Sequence, residues 1–311
     1  MHTLWGSATD RGRIRSLNED ALLAVPPVFL VADGMGGHDA GNVASRIVVD
    51  AFSTLVGHDS VAPDAVHDAF TLAGARMRET LGARIGGTTV AGAAVTEVDG
   101  AEYWLVFNIG DSRVYRVNDG ALEQVSVDHS VVQELVDRGE ISLADARVHP
   151  ERHVITRAVG TGSDPDPDYW LIPVAANDRL MLCSDGLTSE LDDETILQAL
   201  TTLDDPQQAA DWLVGAAVEA GGRDNVTVVV VDVASTWMDL PIDDATVTRG
   251  SLEKIRAQRR AAGGTRWDEE LHGETVPREA VRTPAAGSAR VAPAGVGPVP
   301  PPPPPPVGGA L

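Results

Sequence analysis

The stretch Val28-Phe29-Leu30-Val31-Ala32-Asp33-Gly34-Met35-Gly36-Gly37-His38 runs five apolar residues straight into an aspartate and a glycine-rich turn. Such a run is too short for a helix and lacks polar alternation, so it reads as a buried strand ending at Asp33. A carboxylate at the mouth of a buried strand is placed by rigid backbone. The glycines after it let a cation or a phosphate approach the main chain. The arrangement recurs. Leu180 to Ser184 is a second buried strand, ending at Asp185-Gly186; Tyr103 to Ile109 leads into Gly110-Asp111-Ser112; Asp224 stands just before the β-branched run Val226 to Val233. Taken singly, each Asp-Gly reads as an ordinary turn. Four carboxylates of this kind in one acidic domain are harder to read that way.

Between these strands, apolar residues recur with helical spacing over Asn42 to Leu55 and Pro63 to Leu81. Arg113 to Val117 and Leu122 to Ser126 flank Asn118-Asp119-Gly120, a hairpin signal. Ser130 to Arg138 reads as a helix opened by Ser130 and closed before Gly139. Asp192 to Leu203 and Pro206 to Ala220 read as helices, the second stopped by Gly221-Gly222. Strands and helices come in groups rather than in strict alternation, which favours an α+β fold.

The 311 residues carry a net charge of −22, and its placement is informative. Residues 237–311 hold nine acidic and nine basic side chains, so the 37 acidic and 15 basic groups of residues 1–236 account for all of it. Such a domain is a poor partner for nucleic acid or an anionic membrane and a good one for divalent cations. No apolar run approaches the ~20 residues of a membrane helix, and the opening Met-His-Thr-Leu-Trp predicts no signal peptide. The single cysteine, Cys183, excludes an intrachain disulfide and suits a reducing, cytoplasmic setting. It reads as a buried strand residue. Asn18-Glu19-Asp20 adds two adjacent carboxylates, with Arg15 four residues before Glu19. On a solvated loop this is a surface pair worth little. Beside a metal cluster, the guanidinium becomes a fork matched to phosphate oxygens.

The series Arg15-Ser16-Leu17-Asn18-Glu19-Asp20, Val31-Ala32-Asp33-Gly34-Met35-Gly36-Gly37-His38, Gly86-Gly87-Thr88-Thr89, Ile109-Gly110-Asp111-Ser112-Arg113, Cys183-Ser184-Asp185-Gly186-Leu187 and Asp224-Asn225-Val226-Thr227 resembles, in order and spacing, the bacterial metal-dependent type 2C protein phosphatases, the PPM family. The resemblance covers roughly residues 3–235 and implies a central β-sandwich of two antiparallel sheets flanked by helices. It implies a serine/threonine phosphatase with two Mg²⁺ or Mn²⁺ ions and a looser third, acting on phosphorylated proteins in kinase signalling. Carried over by position, Asp33 bridges two metals, the Gly34 carbonyl binds one, and Asp185 and Asp224 complete the other. Glu19 and Asp20 hold metal-bound waters, Arg15 binds substrate phosphate, and Asp111 with Asp185 takes the third metal. Carboxylate-rich, histidine-poor sites select hard cations, hence Mg²⁺ or Mn²⁺ rather than Zn²⁺. Met35 stands where some relatives have a histidine proposed as general acid, and a thioether donates no proton. His38 reads as a solvent-facing residue at a helix start. Residues 139–162 occupy the family's flap position, where packing is the preferred reading of His149, His153 and Arg157.

Beyond about Ser235 periodicity decays, and Pro300 to Pro306 is an unbroken proline run. This predicts a phosphatase domain over 1–236 and a disordered Pro/Ala/Gly-rich tail over 237–311, with Ser251 to Ala262 as a short helix candidate. Thr246 and Thr275 share a pattern of acid, Thr, Val, any residue and Arg when the acid is placed one or two positions ahead. Phosphorylation there, read by a phosphothreonine-binding module, is one expectation; chance similarity is the other. Two rival functions are weaker. A catalytically dead scaffold is disfavoured because every ligand position of the family is filled. A two-metal phosphohydrolase for small phosphoesters or nucleic acid is disfavoured by charge and by motif order.

Overall fold

The computed structural model describes residues 1–37, 39–162 and 164–235. The expectations for His38 and for the tail, including Thr246, Thr275, the 251–262 helix and the proline run, lie outside the described residues.

Two five-stranded antiparallel sheets stack face to face. The first is ordered β1 (His2–Asp10), β12 (Val226–Ser235), β11 (Arg179–Cys183), β8 (Arg113–Asn118), β9 (Ala121–Gln124). The second is ordered β10 (Asp168–Pro173), β7 (Ala101–Ile109), β6 (Val90–Val98), β3 (Val28–Ala32), β2 (Ala21–Val25). A small ladder, β4 (Gly34–Gly36) with β5 (Gly86–Thr88), extends from the end of β3. Helices α1 (Ala40–Phe52) and α2 (Pro63–Leu81) cover the second sheet; α6 (Asp193–Thr202) and α7 (Pro206–Ala220) cover the first. Short helices α3 (Val131–Asp137), α4 (Leu143–Ala146) and α5 (Asp185–Thr188) lie in the connections. Among the described residues no helix is long and apolar enough to cross a membrane.

The apolar run at residues 28–32 follows from this layering. Phe29 and Val31 point into the core between the sheets, while Val28, Leu30 and Ala32 point under α1 and α2. A strand covered on both faces has no polar side to show. β11 and β12 repeat the split: Leu180, Leu182, Val229 and Val231 face the sheet-sheet core, and Met181, Cys183, Val228 and Val230 face α6 and α7.

The expected elements are present with shifted ends. The helix read from Asn42 begins at Ala40 and closes in a 3-10 turn at Ser53–Leu55. The hairpin turns at Asp119 and Gly120, with φ of 48° and 74°, the pair of positive angles that a two-residue turn of matching twist requires. Ser130 caps α3 by accepting from the Gln133 N–H at 3.2 Å. Strands β1, β2, β6 and β10, and the short β4 and β5, had no sequence expectation. β6 is the instructive one: its interior reads Ala91-Gly92-Ala93-Ala94, poor in the β-branched residues that announce strands.

The small residues of β6 make room. Gly92 pairs with Phe107, and a Cβ at Gly92 would lie 2.1 Å from the Phe107 ring. That ring stacks on Phe52 at 5.4 Å and meets Phe70 edge-on at 5.7 Å, tying β7 to both helices. Gly92→Ala is therefore expected to destabilise the chain by about 1–3 kcal/mol through overpacking. Pairing it with Phe107→Leu should recover part of that loss in a double-mutant cycle read by urea unfolding, whereas strictly additive effects would contradict this packing.

Candidate functional site

Strand register brings the expected carboxylates to one end of the sandwich. Asp33 leaves β3 where Ala32 pairs with Ala21, so Asp20 is its neighbour across the ladder. Asp185 follows β11, whose Cys183 pairs with Val228 and with Arg113, which places Asp224 and Asp111 at the same end. Five aspartates, distant in sequence, thus share one mouth.

Each is held by a different device. Thr89 N–H and Thr88 Oγ1 both donate to the Asp33 carbonyl, at 2.9 Å each, and Thr89 Oγ1 accepts from the Asp33 N–H at 3.3 Å. Gly34 is packed so closely that a Cβ would lie 2.3 Å from the Gly41 carbonyl and 2.5 Å from that of Glu19. Asp20 Oδ2 accepts from Ser184 Oγ at 2.9 Å and Thr227 Oγ1 at 2.7 Å, while its buried Oδ1 has no hydrogen-bond partner among the described residues. Glu19 is fixed through its backbone: its N–H donates to Asn225 Oδ1 at 2.8 Å, and its carbonyl accepts from Ser45 Oγ on α1 at 2.6 Å. Arg15 Nη2 donates to Asp224 Oδ2 at 2.5 Å.

The electrostatics follow. Burial first, then the neighbouring Asp20, Asp185, Asp111 and Asp224, push the Asp33 carboxyl well above the ordinary range. Burial and the charges of Asp185 and Asp128 do the same to Asp111, against the pull of Arg113. Burial, with Asp185 and Asp224, lifts Asp20 to about 7 despite its two hydroxyl donors. These groups need protons or a cation between them. Among the described residues no three acidic, histidine or cysteine side chains already converge as a closed ligand cage. Like charges keep their distance, and Asp224 is turned onto Arg15. The donor set still fits a hard divalent cation: carboxylates and a main-chain carbonyl, an orphaned Asp20 oxygen, and no imidazole or thiolate within it.

Burial pushes the Cys183 thiol up to about 12, in keeping with a buried strand residue and not with a nucleophile. Arg113, quoted within a motif but given no role, forks onto Asp128 at 2.6–3.0 Å and is unavailable to a substrate. The flap region depends on its base: Thr88 and Val159 exchange backbone hydrogen bonds, and Thr156 N–H donates to the His129 carbonyl at 2.8 Å. The three residues singled out there make local contacts rather than core packing. His149 makes a local turn contact to the Glu151 N–H, and Arg157 pairs with Asp168 at 3.2 Å from an exposed position. His153 is half exposed, with Nδ1 3.9 Å from Asp185 Oδ2. Sequence reasoning missed the supporting roles of Ser184, Thr227 and Asn225. A hydroxyl directly before Asp185 was the available signal; the Asn225 clamp spans about two hundred residues of sequence and left none.

The family model for protein phosphatase 2C matches residues 13–215. The serine/threonine protein phosphatase PstP of Mycobacterium tuberculosis is 41% identical over 235 residues, 74% of this chain and 45% of PstP, so the chain spans about half the length of that curated relative. The solved PPM Ser-Thr phosphatase MsPP of Mycobacterium smegmatis, in complex with cacodylate, has a TM-score of 0.68 and 41% identity over 74% of this chain and 98% of its own. The catalytic domain of PstP in complex with two manganese ions has a TM-score of 0.65 and 35% identity over 75% of this chain and 99% of its own. The match across most of the described residues, with the same double sandwich beneath it, makes the chain a member of the protein phosphatase 2C (PPM) family.

Proposed function

We propose that the chain is a serine/threonine protein phosphatase that hydrolyses phosphoserine and phosphothreonine with water as nucleophile, at two Mg²⁺ or Mn²⁺ ions, and so reverses kinase signalling. The observation that carries this reading is the convergence of Asp20, Asp33, Asp111, Asp185 and Asp224 beside Arg15. The manganese-bound PstP domain and the cacodylate-bound MsPP, whose ligand is a tetrahedral oxyanion, support it. When bound, such ions acidify a shared water and neutralise phosphoryl charge.

In this reading Asp33, the Gly34 carbonyl, Asp185 and Asp224 hold the two ions, and Asp111 with Asp185 holds a looser third. Asp20 and Glu19 stand behind them, oriented by Ser184, Thr227 and Asn225 toward water. Arg15 holds the phosphoryl oxygens with its fork. Its present partner Asp224 is itself a ligand position, so Arg15 would be available to substrate whenever Asp224 served as a ligand instead of holding the ion pair. Met35 donates no proton, which leaves the leaving alkoxide to be protonated by water or another side chain. The catalytic unit is residues 1–236, and residues 237–311 serve as a tail. The shared pattern around Thr246 and Thr275 supports phosphorylation by a partner kinase, read by an arginine-bearing phosphothreonine module. Incubation with a cognate kinase and mass spectrometry should find phosphate on one or both threonines; unmodified peptides at both positions would end that part.

With Mn²⁺ the full chain should hydrolyse p-nitrophenyl phosphate and a phosphothreonine peptide, and EDTA should abolish both activities. Asp33→Asn or Asp185→Asn should lower kcat by on the order of 10²-fold or more, as loss of a preorganised charge does. Arg15→Ala should act mainly on KM. A wild-type rate in Asp33→Asn would remove the metal assignment.

A pH dependence follows from the raised carboxyls. A native value above the unfolded one favours the protonated fold, so stability is fullest below about pH 4 for these groups and is lost as pH rises through about 7 for Asp20. A bound cation replaces those protons. In EDTA the melting temperature should therefore fall between pH 5.5 and 8. At pH 8, Mn²⁺ at a fixed concentration a hundredfold above its Kd at that pH should restore about 2.7 kcal/mol, roughly 5–10 °C. Calorimetry showing a Mn²⁺ shift as large at pH 5.5 as at pH 8 would contradict the coupling.

A further inference from the structure

The loop Arg11-Gly12-Arg13-Ile14-Arg15-Ser16-Leu17 carries three guanidinium groups and no acid, in a domain whose first 236 residues hold only 15 basic side chains. It lies at the mouth of the carboxylate cleft. Its backbone is pinned at several points. Asn225 Nδ2 donates to the Arg11 carbonyl at 2.9 Å and the Leu17 carbonyl at 3.0 Å, so one side chain clamps both ends. Gly12 has a φ of +74°, and a Cβ there would lie 2.2 Å from the Asp224 carbonyl. The Arg13 N–H donates to the Gly222 carbonyl at 2.7 Å.

The three arginines differ in what they hold. Arg15 is on Asp224, and Arg11 Nη1 donates to the Ser16 carbonyl at 3.3 Å. The exposed Arg13 guanidinium has no hydrogen bond or ion pair among the described residues. In so acidic a domain a free arginine readily finds a carboxylate, yet those nearby are committed: Asp224 to Arg15, Glu190 to Arg223 at 2.8 Å, and Asp10 to the Gly12 N–H at 2.7 Å. Beside it Ile14 is 72% exposed, an apolar contact offered to whatever lies across the loop.

We propose that Arg13, seconded by Arg11, forms a second anion subsite that reads another anionic group on the substrate, a phosphate or a carboxylate flanking the phosphorylated residue. It rests on the phosphatase reading above and narrows the substrate class to acidic or multiply phosphorylated peptides. A fork on a backbone held at both ends loses little freedom on binding, and a guanidinium suits both oxyanions.

The test compares the full chain, with Mn²⁺, on three phosphothreonine peptides that differ only in having alanine, glutamate or a second phosphothreonine beside the scissile residue. Wild type should show kcat/KM about 5–10-fold higher on the two anionic peptides, mostly through KM, with the gap shrinking in 0.5 M salt. Which of the two is preferred separates carboxylate from phosphate as the group read. Arg13→Ala should bring all three peptides within about twofold of one another, and Arg13→Lys should restore part of the preference. Equal rates on the three peptides in wild type, or an unchanged preference in Arg13→Ala, would overturn the subsite. If no peptide is hydrolysed, the phosphatase reading falls, and the subsite with it.

Discussion

The confinement of five aspartates at one end of the sandwich, unfavourable through burial first and mutual repulsion second, is the constraint that the rest of the structure is arranged to withstand. Burial, the largest cause, with the charges of Asp185 and Asp224 behind it, lifts Asp20 to about 7. Most of the opposition comes from backbone, with Arg15 on Asp224 and Arg113 beside Asp111 as the counter-charges. Asp33, Asp185 and Asp224 are anchored at the ends of strands whose side chains are buried on both faces, and Asp20 is tied by two hydroxyls from β12 and the β11 end.

Strands buried on both faces raise a second problem, that of register. Where one face is wet, a one-residue slip exposes the core and is strongly disfavoured. In β3, β11 and β12 a slip would exchange one apolar face for another, at little cost in polarity. Shape has to set the register instead. Phe107 opposite Gly92 fits only one alignment of β6 and β7, and the ring is then locked between Phe52 and Phe70. The placement of the cleft carboxylates to within a residue thus depends on packing some distance from them.

This explains which parts were legible in the sequence. Buried strands ending in aspartate announced themselves because two covered faces force an unbroken apolar run. β6 did not, since its task is to leave space, and alanine and glycine carry no strand signal. β1, at a sheet edge with Leu4 and Trp5 exposed, shows no clean alternation for the same reason that edges are tolerant. Asp33, Asp111, Asp185 and Asp224 were readable as candidates from their positions after or before strands. The residues that hold Asp20 and Glu19 were harder to read: Ser184 left only its hydroxyl before Asp185 as a signal, and Thr227 and Asn225 act across the fold. Likewise nothing local distinguishes Arg13, without a side-chain partner among the described residues, from Arg15, which is on Asp224.

The flap shows how one buried side chain can join two parts of such a site. His129 Nδ1 lies 3.2 Å from the Gly110 N–H, which can only donate, so Nδ1 is the acceptor and the ring proton sits on Nε2. Nε2–H then faces Asp168 Oδ2 at 3.1 Å, and Asp168 in turn accepts from the exposed Arg157 of the flap at 3.2 Å. The His129 carbonyl takes the Thr156 N–H, and its own N–H donates to the Gly110 carbonyl at 2.8 Å. The turn that carries Asp111 and the segment that carries His153 toward Asp185 are therefore indexed to the same imidazole. A shift of the flap base relative to the cleft would have to break hydrogen bonds on both sides of that ring at once, so the two move together or not at all.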